Sequence, residues 1–269
     1  MDSQTSISSN LHPAASVRLV GGPTAVVELG GLRLLTDPTF SPPGVYESAP
    51  GRPLTKAEGP ALTGVEIGPI DVVLLSHDQH ADNLDPAGRE IVAAAPLTLT
   101  TVSAAERLGG TARPLSAWHQ VQLPRPGGGT LEITAVPARH GPPGCEALTG
   151  EVTGFVVRGD GVPVTYISGD NASLDLVADI RHHIGRPDIA LLFAGAARTT
   201  LFGGAPLTLT SADAVKAGEL LGARWIVPLH FRGWAHFSEG PAIIAATLTD
   251  AGMGDRLRLL TPGEITTLT

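Results

Sequence analysis

The sequence predicts an α/β (α+β) chain folded as a four-layer αββα sandwich, and three observations lead there. Short apolar strands and capped helices alternate, and the second half of the chain repeats the scheme of the first. Several strands are near-continuously apolar, as strands covered on both faces are. Four of them end in a His or an Asp, a placement that is costly to bury without partners.

The elements follow in order. "SVRLVGG" and "TAVVELGGLRLLTD" predict a meander whose second turn is Gly30-Gly31. "PIDVVLLSH" reads as a strand buried on both sides. In "DPAGREIVAAAP", Asp85 caps a helix, Pro86 takes its first position, and Ile91 and Val92 form its apolar stripe. "LTLTTVS" is a further strand and "AAERLGG" a short helix closed by glycine. "TLEITAVPARH", "EVTGFVVRGDGVPVTYISGD", "DIALLFAGA" and "RWIVPLH" supply later strands, the second being a hairpin that turns at 159–161. "SLDLVADIRHHIG", "TSADAVKAGELLGA" and "GPAIIAATLTDAG" are helices, and "RLRLL" is expected as the last strand.

The chain has 269 residues, 42% hydrophobic and 16% charged, which suits a globular protein with a substantial core. Residues 1–16 are polar and read as a disordered lead without signal-peptide character, leaving 17–269 as one domain. No apolar run reaches the ~20 residues of a membrane span, so a cytoplasmic protein is expected. The net charge of -8 argues against a nucleic-acid partner and for a small-molecule substrate. Homo-oligomerisation is left open. One cysteine, Cys145, excludes an intrachain disulfide and a cysteine-rich zinc site.

The polar strand ends carry the chemistry. "LLSH" ends in His77, "AVPARH" in His140, "TYISGD" in Asp170 and "IVPLH" in His230. Any one of these alone is more often a hydrogen-bonded loop residue than a ligand, and Asp170 could simply cap a helix. Nitrogen and carboxylate ligands meeting at one sheet edge are what a zinc-type site requires. The stretch "HDQHADNLD" adds His80, Asp82, Asn83 and Asp85 beside His77.

On these residues the chain resembles a metallo-β-lactamase-fold hydrolase, in the branch similar to ascorbate-phosphate lactonases and N-acyl-phosphatidylethanolamine phospholipase D. The resemblance runs from "VRLVGGPTAVVELGGLRLLTDPTF" to "RWIVPLHFRGWAHF". Thr36-Asp37-Pro38 matches the end of the family's first hairpin, while Gly22 stands where the family has a histidine. Asp37 would then be a buried carboxylate that orients ligands. The opening motif departs from the family's His-x-His-x-Asp-His. Aligned from His77, Gln79 takes the second histidine's place. Aligned backwards from Leu84-Asp85, His80 and Asp82 take the second histidine's and the aspartate's places, with Asn83 for the last histidine. The second register is preferred, since a loop absorbs an insertion more easily than a metal loses its ligands.

In that register the resemblance assigns His77, His80 and His140 to one metal, Asp82 and His230 to a second, and Asp170 to both. It implies one or two divalent ions, zinc first and manganese or iron as the alternative, since the amide at Asn83 weakens the second site. It also implies a hydrolase acting through metal-activated hydroxide on a small ester, lactone or phosphodiester. Asp82 is expected to orient the water, and His236 is a candidate acid or a packing histidine. Arg198 is a candidate anion clamp, or a surface ion-pair partner. Trp234, Tyr46, Trp118, Phe202 and Phe237 are candidate pocket walls. The alternatives are non-hydrolytic metal chemistry on the same fold, and a metal-deficient ligand-binding protein.

Overall fold

The computed structural model describes residues 15–49 and 51–268. Of the expected lead, residues 1–14 lie outside the described residues. Ala15 and Ser16 already belong to a strand, because they pair with Leu268 and Thr267 near the other end of the chain.

Two sheets pack face to face. The first contains β1 (Ala15–Gly21), β2 (Thr24–Leu29), β3 (Leu32–Thr36), β6 (Val72–Leu74), β7 (Thr98–Thr100), β8 (Ala112–Pro114) and β15 (Ile265–Leu268), in the order β15-β1-β2-β3-β6-β7-β8. The second contains β9 (Gln120–Pro124), β10 (Thr130–Pro137), β11 (Thr153–Gly159), β12 (Val162–Ile167), β13 (Ile189–Phe193) and β14 (Trp225–Leu229), in the order β14-β13-β12-β11-β10-β9. A separate hairpin, β4 (Gly44–Ala49) with β5 (Arg52–Lys56), stands apart from both.

Strand alternation divides the core into three. Ala25, Val27, Leu34, Val72 and Leu74 of the first sheet meet Ile133, Phe155, Leu191, Phe193 and Leu229 of the second between the sheets. The residues between them in sequence point outward. Val26, Leu35, Val73 and Leu75 pack under α1 (Pro86–Ala94) with Val92. Tyr166, Ala190, Leu192 and Ile226 pack under α4 (Leu174–Ile184), α5 (Ser211–Leu221) and α6 (Pro241–Asp250). Helices, sheet, sheet, helices: the four layers expected from the sequence are present. Every central strand needs apolar residues on both faces, hence the continuous apolar runs.

Asp85, Ser173 and Thr210 cap α1, α4 and α5 as read. Two elements differ from expectation. The strand at 97–103 stops at Thr100, because the Thr101 hydroxyl accepts from Ala104 N and starts α2 (Val102–Leu108). "RLRLL" contributes one bridge, Leu257 to Ile226, and no strand. Arg256 is drawn to the Gly218 and Ala223 carbonyls and Arg258 stacks 3.7 Å over Trp225, so the backbone leaves the sheet.

Strand direction positions the site. β12, β13 and β14 are parallel, and β10, two antiparallel steps from β12, runs the same way. Their carboxyl ends therefore share one edge of the second sheet, facing the carboxyl end of β6 in the first.

Candidate metal centre

His77 and His140 each follow their strand by three residues, Asp170 follows β12 by three, and His230 follows β14 directly. His230 holds a left-handed backbone (φ 57), and its N–H donates to Gly22 O at 2.9 Å. Gly195 lets this turn close, since a Cβ there would overlap the His230 carbonyl.

Three imidazoles form one group. His77 Nε2 lies 2.9 Å and His140 Nε2 3.1 Å from His80 Nδ1. The outer nitrogens of His77 and His140 are fixed. His77 Nδ1 meets Ser76 Oγ at 2.9 Å, and His140 Nδ1 meets the Leu207 carbonyl at 2.8 Å. Burial, then the neighbouring His80 and His140, holds His77 well below the usual imidazole range. Burial and His140 bring His80 down to about 4. Neutral rings with convergent lone pairs suit a divalent cation.

Asp82, Asp170 and His230 form the second group. His230 Nε2 is 3.2 Å from Asp82 Oδ2 and 3.5 Å from Asp170 Oδ1, and Asp170 Oδ2 is 3.4 Å from His140 Nε2. Asp170 thus touches both groups, and the ligand atoms of each lie within 4.8 Å of one another. Both Asp170 oxygens are buried with no hydrogen-bond partner among the described residues. A buried carboxylate left so bare fits a cation and little else. Burial alone would raise the Asp82 pKa, but His236 and His230 hold it well below the usual range. Burial would lower that of His230, yet Asp170 and Asp82 raise it.

The neighbours expected from the sequence divide. Asp37 accepts from Ser76 N and Ser76 Oγ, both at 2.6 Å, and from Asn83 Nδ2 at 3.0 Å. Burial nonetheless pushes its pKa up to about 7. Asn83 is thus turned toward Asp37, with its Oδ1 buried and unpartnered among the described residues. His80, not Gln79, joins His77 and His140, while the Gln79 amide lies over Gly150, where a Cβ would overlap it. His236 Nε2 sits 2.9 Å from Asp82 Oδ2. Arg198 lines the cavity with its guanidinium on Gly204 O (2.6 Å) and Ser238 Oγ (3.2 Å).

Several pocket-wall expectations need correction. Trp234 is buried, edge-on to Tyr46 at 6.1 Å and to His236 at 6.3 Å, and packs over Gly22 and Lys56 outside the main cavity. Tyr46 is tied to the Pro42 carbonyl. Trp118 is 38% exposed and stacks on His183, so it belongs neither to the core nor to the cavity. Phe202 and Phe237 do not line the cavity either, and Phe237 packs on His230 and His236. Cys145 donates to the His140 carbonyl and is buried.

The cavity over the cluster holds about 350 Å³, with His80, Asp82, His140 and His236 as its polar floor and Leu54, Leu148 and Leu207 on its walls. Leu54 comes from the β4–β5 hairpin, an element the sequence reading missed. Ser76 was also missed. A hydroxyl directly before His77 was its only signal.

Asp85 does more than cap. Its buried carboxylate accepts from Gly88 N, Phe40 N and Ser41 N, and pairs with Lys56 Nζ at 2.9 Å. The hairpin, the segment after Asp37 and the metal-facing loop meet on this one side chain.

Comparison with known proteins follows the same lines. The beta-lactamase superfamily domain matches residues 32–231. A UPF0173 metal-dependent hydrolase of Pelotomaculum thermopropionicum is 28% identical over 227 residues, 80% of this chain and 87% of that protein. One from Methanoregula boonei is 32% identical over 119 residues, so the matched stretch is 40% of this chain and about half (47%) of that relative. An isothiocyanate hydrolase from Delia radicum gut bacteria superposes with TM-score 0.78 at 20% identity, over 94% of this chain and 99% of that one.

Proposed function

Because the chain belongs to the beta-lactamase superfamily, we propose that it is a metal-dependent hydrolase of a small ester, lactone or phosphodiester, built as one domain from residue 15 on. The observation that carries this reading is the Asp170 carboxylate, without a hydrogen-bond partner among the described residues, between three imidazoles and the Asp82–His230 pair.

His77, His80, His140 and Asp170 would hold one divalent ion, and Asp82, Asp170 and His230 a second. Such ions, when bound, acidify a water to near neutrality and polarise the oxygen under attack. The chain's own residues do the rest. Asp82, at the cavity floor, orients the attacking water, while His230 and His236 hold one of its carboxylate oxygens. His236 keeps that carboxylate charged and aimed. With its Nε2 engaged there, leaving-group protonation by His236 requires this bond to open first. The apolar walls exclude bulk water, and Arg198 presents a fixed guanidinium beside the substrate. The cavity volume limits the substrate to a small molecule.

Elemental analysis with a hydrolysis screen over these three substrate classes tests the reading. One or two divalent ions per chain are expected, with turnover abolished by chelation and restored by metal. A metal-free chain with chelator-insensitive turnover, or a metal-loaded one that converts its substrate without adding water, overturns it.

A further inference from the structure

A second chamber, of about 410 Å³, adjoins the first and shares Ser48, His80, Leu148 and Thr149 with it. Its character is different. Arg89 and Arg107 line it, with Asp78 and Gln79, the two residues between His77 and His80. Both Asp78 oxygens accept from Arg107 Nε, at 3.1 and 3.0 Å, and Arg107 Nη2 adds a further bond to Oδ1. Arg89 Nη2 donates to the Asp78 backbone carbonyl at 2.8 Å, which leaves the rest of its guanidinium open. Glu151 also favours the charged form of Arg107, but its carboxylate is turned to Ser103 N and Oγ and does not line the chamber.

The donors and acceptors are therefore unequal. Two guanidinium groups and the Gln79 amide face a single carboxylate that Arg107 already covers. Glu106 acts on Arg107 as well, so the surplus is the exposed guanidinium of Arg89, in a chain whose net charge is -8. Fork-shaped donors in surplus match a planar carboxylate or a phosphate. His80, on the wall common to both chambers, sets this place beside the metal-facing cluster.

We propose that this arginine-lined chamber receives an anionic arm, a carboxylate or a phosphate, of the substrate whose reacting group lies in the first chamber. The proposal rests on the hydrolase reading for the first chamber, and the 78–79 segment, one residue longer than the family's His-x-His, is its specificity-determining feature. Arg89 is the residue that meets the arm, and Arg107 holds the loop that shapes the site.

Calorimetric titration of the metal-loaded protein with glutarate and with butyrate tests it without a known substrate. Either acid offers one carboxylate to the metals, and only glutarate offers a second to the chamber. Glutarate is expected to bind at least ~10-fold tighter, an advantage on the order of one charge-assisted hydrogen-bond pair. Arg89→Gln should bring the ratio to near one. Arg113→Gln, which removes the same charge from outside both chambers, should leave it intact. Equal binding by the wild type, no binding of either acid, or a ratio that survives Arg89→Gln overturns the proposal. Failure of the hydrolase reading shows separately, as absent metal or absent turnover, because the ratio is read without catalysis.

Discussion

The two halves of the ligand cluster differ in how they are held. In the imidazole half, His77 and His140 are each fixed from behind, by Ser76 Oγ and by the Leu207 carbonyl. In the carboxylate half, His230 Nδ1, His236 Nδ1 and both Asp170 oxygens have no such partner among the described residues. Where an imidazole would be expected, Asn83 is bound to Asp37 instead. A ligand fixed by an outer hydrogen bond loses less freedom on binding metal and is the more basic for it. The imidazole half is therefore expected to be the tighter site and the carboxylate half the weaker one.

The comparison breaks most severely at His80. His80→Ala should empty the imidazole half and lower turnover by at least ~10³-fold, while Gln79→Ala keeps its metal. Metal stoichiometry on both variants decides it, and a metal-replete His80→Ala protein would show the motif to be read one residue out of step. Asp82→Asn strikes the other half. Turnover should fall by about 10²–10⁴-fold with one ion retained, read as the metal count beside kcat. Ser76→Ala sharpens the contrast most finely. It should weaken the tighter ion by about 10- to 100-fold in chelator competition, and leave the weaker ion's affinity unchanged.

How much of this could be read in the sequence follows the same division. The convergence of His77, His140, Asp170 and His230 was legible because a buried apolar strand that stops on a His or Asp is conspicuous. His80 and Asp82 were legible through the register of "HDQHADNLD" once Leu84 and Asp85 anchored it. The outer bonds were not, since the Leu207 carbonyl is 67 residues from His140 and carries no side-chain signal. Arg107 and Asp78 pair across 29 residues, so their chamber was equally hidden. The β4–β5 hairpin escaped notice because its Pro, Gly and polar residues give no apolar alternation, and it joins neither main sheet. "RLRLL" misled for the opposite reason: it alternates well, yet its arginines are drawn to carbonyls and to an indole.

Asp85 began as a helix cap and became the meeting point of three segments, which bears on how the protein opens. Its carboxylate holds the first turn of α1, the backbone at 40–41 and the Lys56 ammonium at once, and its side chain is 0% exposed. Removing one partner from a buried pair of this kind costs about 3–5 kcal/mol, because the other charge stays stranded. The base of the β4–β5 hairpin is therefore tied to the loop beneath it. The base of the hairpin, the segment after Asp37 and the loop that ends at Asp85 should melt together as one cooperative unit, and their amides should exchange with solvent at a common rate. On this side of the cavity, substrate entry is expected to use the existing gap, and the more weakly tied side at 148–149 and 199–201 is where widening would show first in exchange.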